Sequence, residues 1–253
     1  MILTMDAWAN INRWRDRVFE NWILSGGLLL LALILPPLPS GPLIVCVSLI
    51  SATLGARIPL KSFLYIMAVP CMFLMFGVIP MIVTFSGTNG SGVPIAFSYS
   101  NLPLVEETML RSFGAVTALI LLGTTTPILS QIGFLRRLHF PNTFIEIMIL
   151  TYRFLFLLES VMANIITAQS ARLGYCSLRT GFRSGSLAFA GLFSHTIAKA
   201  QIMERCLAAR AYNGNLNVLD IPLRISAKRV SLIILLHVFV TSLSLIWRSV
   251  LHG

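Results

Sequence analysis

Long apolar runs, interrupted by proline, glycine and arginine, set out this chain. Near its start, Trp8, Ile11, Trp14, Val18 and Phe19 fall at roughly helical spacing with Arg13, Arg15 and Arg17 among them. Tryptophan beside arginine favours a headgroup boundary, so residues 1–21 are predicted to form an interfacial segment. An apolar run over 22–38 predicts a first membrane span. The proline-rich stretch from Pro36 to Pro42 breaks it and leaves a short second span over 43–56. A third span is predicted over 62–85 with kinks at Pro70 and Pro80, and a fourth over 109–129 with a weakened end at Gly123-Thr124-Thr125-Thr126-Pro127. The connection over 86–103 holds glycine, asparagine and proline but no Lys or Arg. Beyond it the pattern predicts a short amphipathic helix over 130–139, a break at Pro141, a long helix over 142–173, a basic turn over 179–185, a second long helix over 186–212 and a last span over 230–247.

Composition agrees with this pattern. Of 253 residues 56% are hydrophobic and 11% charged, and the mean hydropathy is +0.84, which predicts an all-α, polytopic membrane protein of about five spans. Lys and Arg number 19 against 9 Asp and Glu. Because the cations sit between apolar spans rather than on a soluble surface, they indicate membrane orientation and not nucleic acid. Twelve of them fall between Ser130 and Arg229, which makes that block cytoplasmic. The division predicted is 1–129, a membrane domain of about four spans; 130–229, cytoplasmic coupling helices; and 230–253, a C-terminal span. Residues 1–20 are polar and charged, so no cleaved signal peptide is expected.

The long helix from Asn142 is apolar nearly all round, yet Glu146, Arg153, Ser160 and Thr167 recur every seven positions and Asn164 joins them. A charge at the centre of a lipid-facing helix costs at least roughly 2.5 kcal/mol, so burial against partner helices at the membrane surface is expected in place of a span. The next helix is rich in Ala188, Ala190, Gly191, Ala198, Ala200, Ala208 and Ala209, small residues that let two helices cross at close range. Both long helices finish alike, the first in Ala171-Arg172-Leu173-Gly174 and the second in Ala209-Arg210-Ala211-Tyr212. An arginine in the last turn suits the negative end of the helix dipole, and a following glycine suits a left-handed cap. One such end is an ordinary terminus; two in one basic segment of a membrane protein point to paired docking points.

Other chemistry is sparse. His139, His195, His237 and His252 are scattered, no Walker lysine motif is present, and Cys46, Cys71, Cys176 and Cys206 lack zinc or redox spacing and read as buried thiols. Met67, Met72, Met75 and Met81 read as packing. An enzyme lacks a catalytic constellation here, and a stand-alone secondary transporter or channel lacks the ionisable residues a substrate path needs within spans.

With Ala171-Arg172 and Gly174, Ala209-Arg210, the Thr126-Pro127 turn, the Leu138-His139-Phe140-Pro141 break and Tyr152-Arg153-Phe154 in view, nearly the whole chain resembles the transmembrane T component of energy-coupling-factor (ECF) transporters, a branch of the ABC importers, in its cobalt-type CbiQ subgroup. In that family each cytoplasmic helix ends in Ala-Arg-Gly. The resemblance implies that Ala171, Arg172, Gly174, Ala209 and Arg210 dock on an ATPase dimer (CbiO-like). This sequence departs from the motif where Leu173 precedes Gly174 and where Ala211 replaces the glycine. The resemblance further implies a substrate-binding membrane partner (CbiM-like, with a small CbiN-like subunit), ATP and Mg held by the ATPase and no cofactor in this chain. It implies an inner-membrane location and cobalt uptake serving cobalamin biosynthesis, with a nickel or vitamin importer as the alternative.

Five spans with an inside N-terminus place Thr88 outside and Arg179 inside. Side-selective labelling of Thr88→Cys and Arg179→Cys checks this, and external labelling at position 179 would make the helix from Asn142 a membrane span.

Overall fold

The computed structural model describes residues 2–85, 95–97, 101–212 and 225–252. The elements run α1 (Ile2–Ile11), α2 (Val18–Ile34), α3 (Pro37–Ile50, extended by a π-helical turn, Ser51–Gly55), α4 (Leu60–Ile82), β1 (Val83–Phe85), β2 (Ile95–Phe97), α5 (Leu102–Thr125), α6 (Ile128–Arg137), α7 (Asn142–Ala171), α8 (Leu178–Ala209) and α9 (Ala227–His252). The two three-residue strands pair antiparallel, Val83 opposite Phe97. Apart from that ladder the elements among the described residues are all helices, as predicted. Position 88 and most of the connection around it lie outside the described residues. Two compact units are present: Met1–Gln131 with Ile221–Gly253, and Ile132–Asp220.

Among the described residues four helices are long and apolar enough to cross a membrane, Pro37–Gly55, Leu60–Met81, Leu102–Thr125 and Ala227–Trp247, and Val18–Ile34 is a shorter apolar helix. At about 1.5 Å per residue the 17 residues of α2 cover roughly 25 Å. The second span is longer than predicted because the helix starts among the prolines instead of after them. Pro37 occupies the first turn, where a missing N–H costs nothing. Leu38 is non-helical (φ −104°, ψ 120°), so the carbonyl that Pro42 cannot serve is already out of line. In α4 the helix runs through both Pro70 and Pro80.

The hub of the first unit is α5, on which α1, α2, α3 and α4 all pack. It begins seven residues before the predicted start, and Arg111 Nη2 pairs with Glu107 Oε1 of the added turns at 3.0 Å. Its end is set by Pro127, which holds Thr126 extended (φ −124°, ψ 112°). The helix therefore stops inside the run where a weakened end was expected; Thr117, Thr124 and Thr125 are buried, and each hydroxyl donates to the carbonyl four residues back, at 2.9, 2.7 and 2.6 Å. A polar side chain in an apolar interior is thereby satisfied without a partner helix.

The N-terminal segment also differs from the sequence expectation. One side of it turns inward: Asp6 and Ala9 are buried, α1 packs on α5, and the helix stops at Ile11. The periodicity that joined Ile11 to Val18 therefore spans two helices; Ile11 is exposed and Val18 fully buried. The thiols differ as well, since Cys46, Cys176 and Cys206 are exposed and Cys71 half-buried. Met67 sits in the core while Met72 and Met75 face outward. The outward positions of a span meet lipid, where an apolar side chain carries no penalty, so apolar character does not separate core from surface here.

Close approach is bought with glycine at α3 and α5. A Cβ on Gly41 would lie 2.8 Å from the Leu110 carbonyl oxygen, whereas one on Gly26 would meet nothing within 4 Å. Gly41→Ala is expected to cost about 1–3 kcal/mol by forcing the backbones apart. Gly26→Ala is expected to be neutral or slightly stabilising, because alanine is the better helix former. Thermal unfolding of the two variants in one detergent checks the contrast.

Candidate docking site

The second unit is a helical hairpin. After α6, Pro141 caps α7, and α7 and α8 then pack antiparallel. Three contacts fix the pairing: Ser184 Oγ donates to the Gly174 carbonyl at 2.8 Å, a Cβ on Gly191 would lie 3.8 Å from Ile165 Cδ1, and the Tyr212 hydroxyl donates to Glu146 Oε2 at 2.6 Å. As one position rises the other falls; of the small-residue face predicted for the second helix, Gly191 meets the first helix and Ala188 is buried, whereas Ala190, Ala198, Ala200, Ala208 and Ala209 are exposed. The polar stripe of α7 is mostly open in this chain. Only Ile145 is buried on that helix; Ser160 and Thr167 hydroxyls donate to their own backbone.

There is no basic turn over 179–185. Ser177 caps α8, accepting from the Thr180 N–H while Thr180 Oγ1 accepts from the Ser177 N–H, so Arg179 and Arg183 lie in the opening turns of the helix. This reciprocal cap is a two-residue device that Gly181 and Gly185 obscured in the sequence.

The two Ala-Arg ends are built alike. Arg172 (φ −98°, ψ 18°) caps α7 and Arg210 (φ −99°, ψ 20°) caps α8. After Arg172, the Gly174 N–H returns to Gln169 O at 2.9 Å and the Leu173 N–H to Ser170 O at 3.0 Å. After Arg210, the Tyr212 N–H returns to Leu207 O and the Ala211 N–H to Ala208 O, both at 3.1 Å. These are paired Schellman closures. The left-handed position is held by Leu173 (φ 57°) and Ala211 (φ 54°), not by a glycine. Gly174 serves a different end: a Cβ there would lie 2.9 Å from Gln169 O and 2.7 Å from Ser184 Oγ.

All four of Ala171, Arg172, Ala209 and Arg210 are exposed and Gly174 is half-buried. Among the described residues neither arginine enters an ion pair. The antiparallel pairing puts Arg172 at one end of the hairpin and Arg210 at the other, beside the start of α7. Thirty residues of α7 span roughly 45 Å, so the structure does not bring the two arginines together. Arg210 instead shares a cleft of about 230 Å³ with Arg153 and Lys199, floored by Phe154, Leu157 and Ile202. Arg153 was legible as part of the stripe on α7, but its company with Arg210 depends on the hairpin register. At that end the hydrogen bond to Glu146 raises the Tyr212 phenol above its ordinary pKa, since ionisation would place two negative charges together.

The membrane helices and the exposed hairpin define the class: a polytopic, all-helical membrane protein with a basic helical hairpin. The sequence profile of the CbiQ family, described as cobalt transport protein, matches residues 11–219. The chain belongs to the CbiQ family. It is 34% identical over 220 residues to the cobalt transport protein CbiQ of Rhodobacter capsulatus, covering 87% of this chain and 88% of that one. It is 31% identical over 226 residues to CbiQ of Salmonella typhimurium, covering 85% and 99%. A putative fused cobalt transport protein CbiMQ of Methanocorpusculum labreanum is 25% identical over 189 residues, 70% of this chain and 31% of that protein.

A left-handed residue with a Cβ costs about 1 kcal/mol or more relative to glycine. Leu173→Gly and Ala211→Gly are each expected to stabilise the hairpin by about 1 kcal/mol, while Gly174→Ala destabilises it. Denaturant unfolding followed by circular dichroism checks all three.

Proposed function

We propose that this chain is the transmembrane coupling subunit of an ECF-type ABC importer, transmitting the motion of an ATPase dimer to a substrate-binding membrane partner for cobalt uptake serving cobalamin biosynthesis. The observation that carries this reading is the placing of two equivalent, unpaired arginines at opposite ends of one rigid hairpin. A separation of tens of ångströms suits two sites on two subunits and is far too large for one pocket. An ATPase that opens and closes needs two separate grips to move a membrane partner. Guanidinium serves as a grip because it stays charged and makes forked bonds to carboxylates or to helix-terminal carbonyls.

On this reading Ala171 and Ala209 keep the surface beside each arginine low, Arg172 and Arg210 dock, and Gly174 admits the tight closure that aims the first of them. The membrane domain and the hairpin then correspond to the scaffold and the coupling element. ATP and Mg belong to the CbiO-like ATPase, and catalysis is not a task of this chain. A CbiM-like partner is supported by the relative whose name joins CbiM and CbiQ in one protein. Cobalt as substrate is supported by the family and by the names of the relatives from Rhodobacter and Salmonella. The concentration of cations in the hairpin supports a cytoplasmic placement at the inner membrane.

Arg172→Ala or Arg210→Ala is expected to weaken recovery of the ATPase about tenfold, the loss of one hydrogen-bonded charge of roughly 1.5 kcal/mol. The double variant should lose both recovery and ATP-dependent cobalt uptake. Lysine at either position should rescue only partly, because it keeps charge without the fork. Arg179→Ala and Arg183→Ala, in the opening turns of α8, should behave as the parent. ATPase pull-down with cobalt uptake into vesicles checks the set. A double variant that assembles and transports normally while Arg179→Ala does neither would sink the proposal.

A further inference from the structure

One feature of the membrane unit is unconnected with the arginine ends. Between α2, the π-helical turn and α9 lies a cavity of about 310 Å³ with a charged mouth and an apolar wall. At the mouth, Glu20 is buried, with 2% exposure, and its carboxylate is already engaged. The Ser226 N–H donates to Oε1 at 2.7 Å, Arg17 Nη1 stands 3.5 Å from Oε2, and Arg229 Nη1 stands 3.8 Å from the same oxygen. That last distance is beyond a hydrogen bond. Arg229 instead lies over the Trp14 ring, 5.5 Å from its centroid. Arg13 and Arg17 are both near enough to repel it. Two guanidiniums thus share one carboxylate, with Arg13 adding to the positive charge around Arg229. The indole is held tightly, since a Cβ on Gly55 would fall 2.1 Å from Trp14 Cζ2, yet its buried Nε1–H has no acceptor. A buried donor without a partner carries a desolvation penalty. Beyond the mouth the wall is Leu24, one turn along α2 from Glu20, with Leu232 and Leu236, one and two turns along α9 from Arg229.

We propose that this cavity binds an anionic phospholipid. Its phosphate takes the Trp14 Nε1–H and the unfilled donors of Arg229, and its acyl chain lies along the Leu24, Leu232 and Leu236 wall. Excess positive charge, an unused indole donor and an apolar track starting at the same point match the two ends of such a lipid. A soluble phosphate would have no use for the track, and a neutral apolar ligand would leave the charge excess uncompensated. The inference stands apart from the coupling role.

The test is native mass spectrometry of the delipidated full chain titrated with phosphatidylglycerol, phosphatidylcholine of the same acyl chains, and sn-glycerol 3-phosphate. Phosphatidylglycerol is expected to bind about tenfold tighter than phosphatidylcholine, the size of one charge-assisted hydrogen bond, and glycerol phosphate far more weakly than either. Trp14→Phe keeps the ring under Arg229 and removes only the donor; it should cost about tenfold in phosphatidylglycerol affinity and little in phosphatidylcholine affinity. Leu232→Trp, at an exposed lining position clear of the ion pairs, should fill the track and abolish the preference. Arg229→Gln should do the same, and if it fails to fold the two other variants decide. Equal binding of the two lipids, glycerol phosphate binding as tightly as phosphatidylglycerol, parental lipid binding by both Trp14→Phe and Leu232→Trp, or exclusion of phosphatidylglycerol by co-expressed protein partners would each overturn the proposal.

Discussion

The break at Thr126-Pro127 is the constraint on which the membrane unit depends. Proline has no N–H for Gly123, and the turn that follows carries the chain away from the α5 axis, so the last carbonyls of that helix lose their ladder partners inside an apolar bundle. Asn12 supplies the deficit, its Nδ2 donating to Thr124 O and Thr125 O at 2.9 Å each. Asn21 Nδ2 adds Thr126 Oγ1 at 3.2 Å and Thr125 O at 3.3 Å, and it also reaches back to Trp14 O at 3.1 Å. On the far side of the break Asp6 Oδ1 accepts the Ile128 N–H at 3.0 Å, capping α6. The polar N-terminal segment is therefore the complement of one proline more than 100 residues away, and this is why Asp6, Asn12 and Asn21 turn toward the end of α5.

The rest of the membrane unit follows a rule of small groups and satisfied hydroxyls. Lipid offers apolar side chains nothing that a neighbouring helix does not, so helices associate where backbones come close and polar atoms find partners. Gly41 lies against the backbone of α5, and Gly27 lies against the His237 ring, where a Cβ would fall 2.1 Å from Nε2. His237 in turn donates from Nδ1 to Ile233 O at 2.7 Å, leaving the imidazole as a spacer between α2 and α9.

In the hairpin the same closure recurs wherever a helix must stop. His139 (φ 60°) after α6, Leu173 after α7 and Ala211 after α8 all take the left-handed position, with the following N–H returned to the helix. None is glycine. A terminus with a Cβ in this region is held by its hydrogen bonds against a local preference of about 1 kcal/mol, which places Arg172 and Arg210 on ends of the same shape despite their different sequences.

Class, the apolar helices, the two long helices that follow them and the two arginine ends were legible in the sequence, because each rests on a local property: apolar length, charge between spans, or a residue type at a helix end. What was not legible depended on distant partners. The prolines from Pro36 to Pro42 read as a break but start a helix, since Leu38 turns aside the carbonyl that Pro42 cannot serve. Gly174 read as the left-handed cap, yet Leu173, directly after the Arg172 cap, takes that conformation, while Gly174 leaves the space that Ser184 Oγ and Gln169 O occupy. That Asn12 belongs to Thr124, that Arg153 keeps company with Arg210, and that Arg172 stands a helix length away from its counterpart follow from register and from backbone groups left unpaired elsewhere. Such pairings have no periodicity along the chain, so only the tertiary structure decided them.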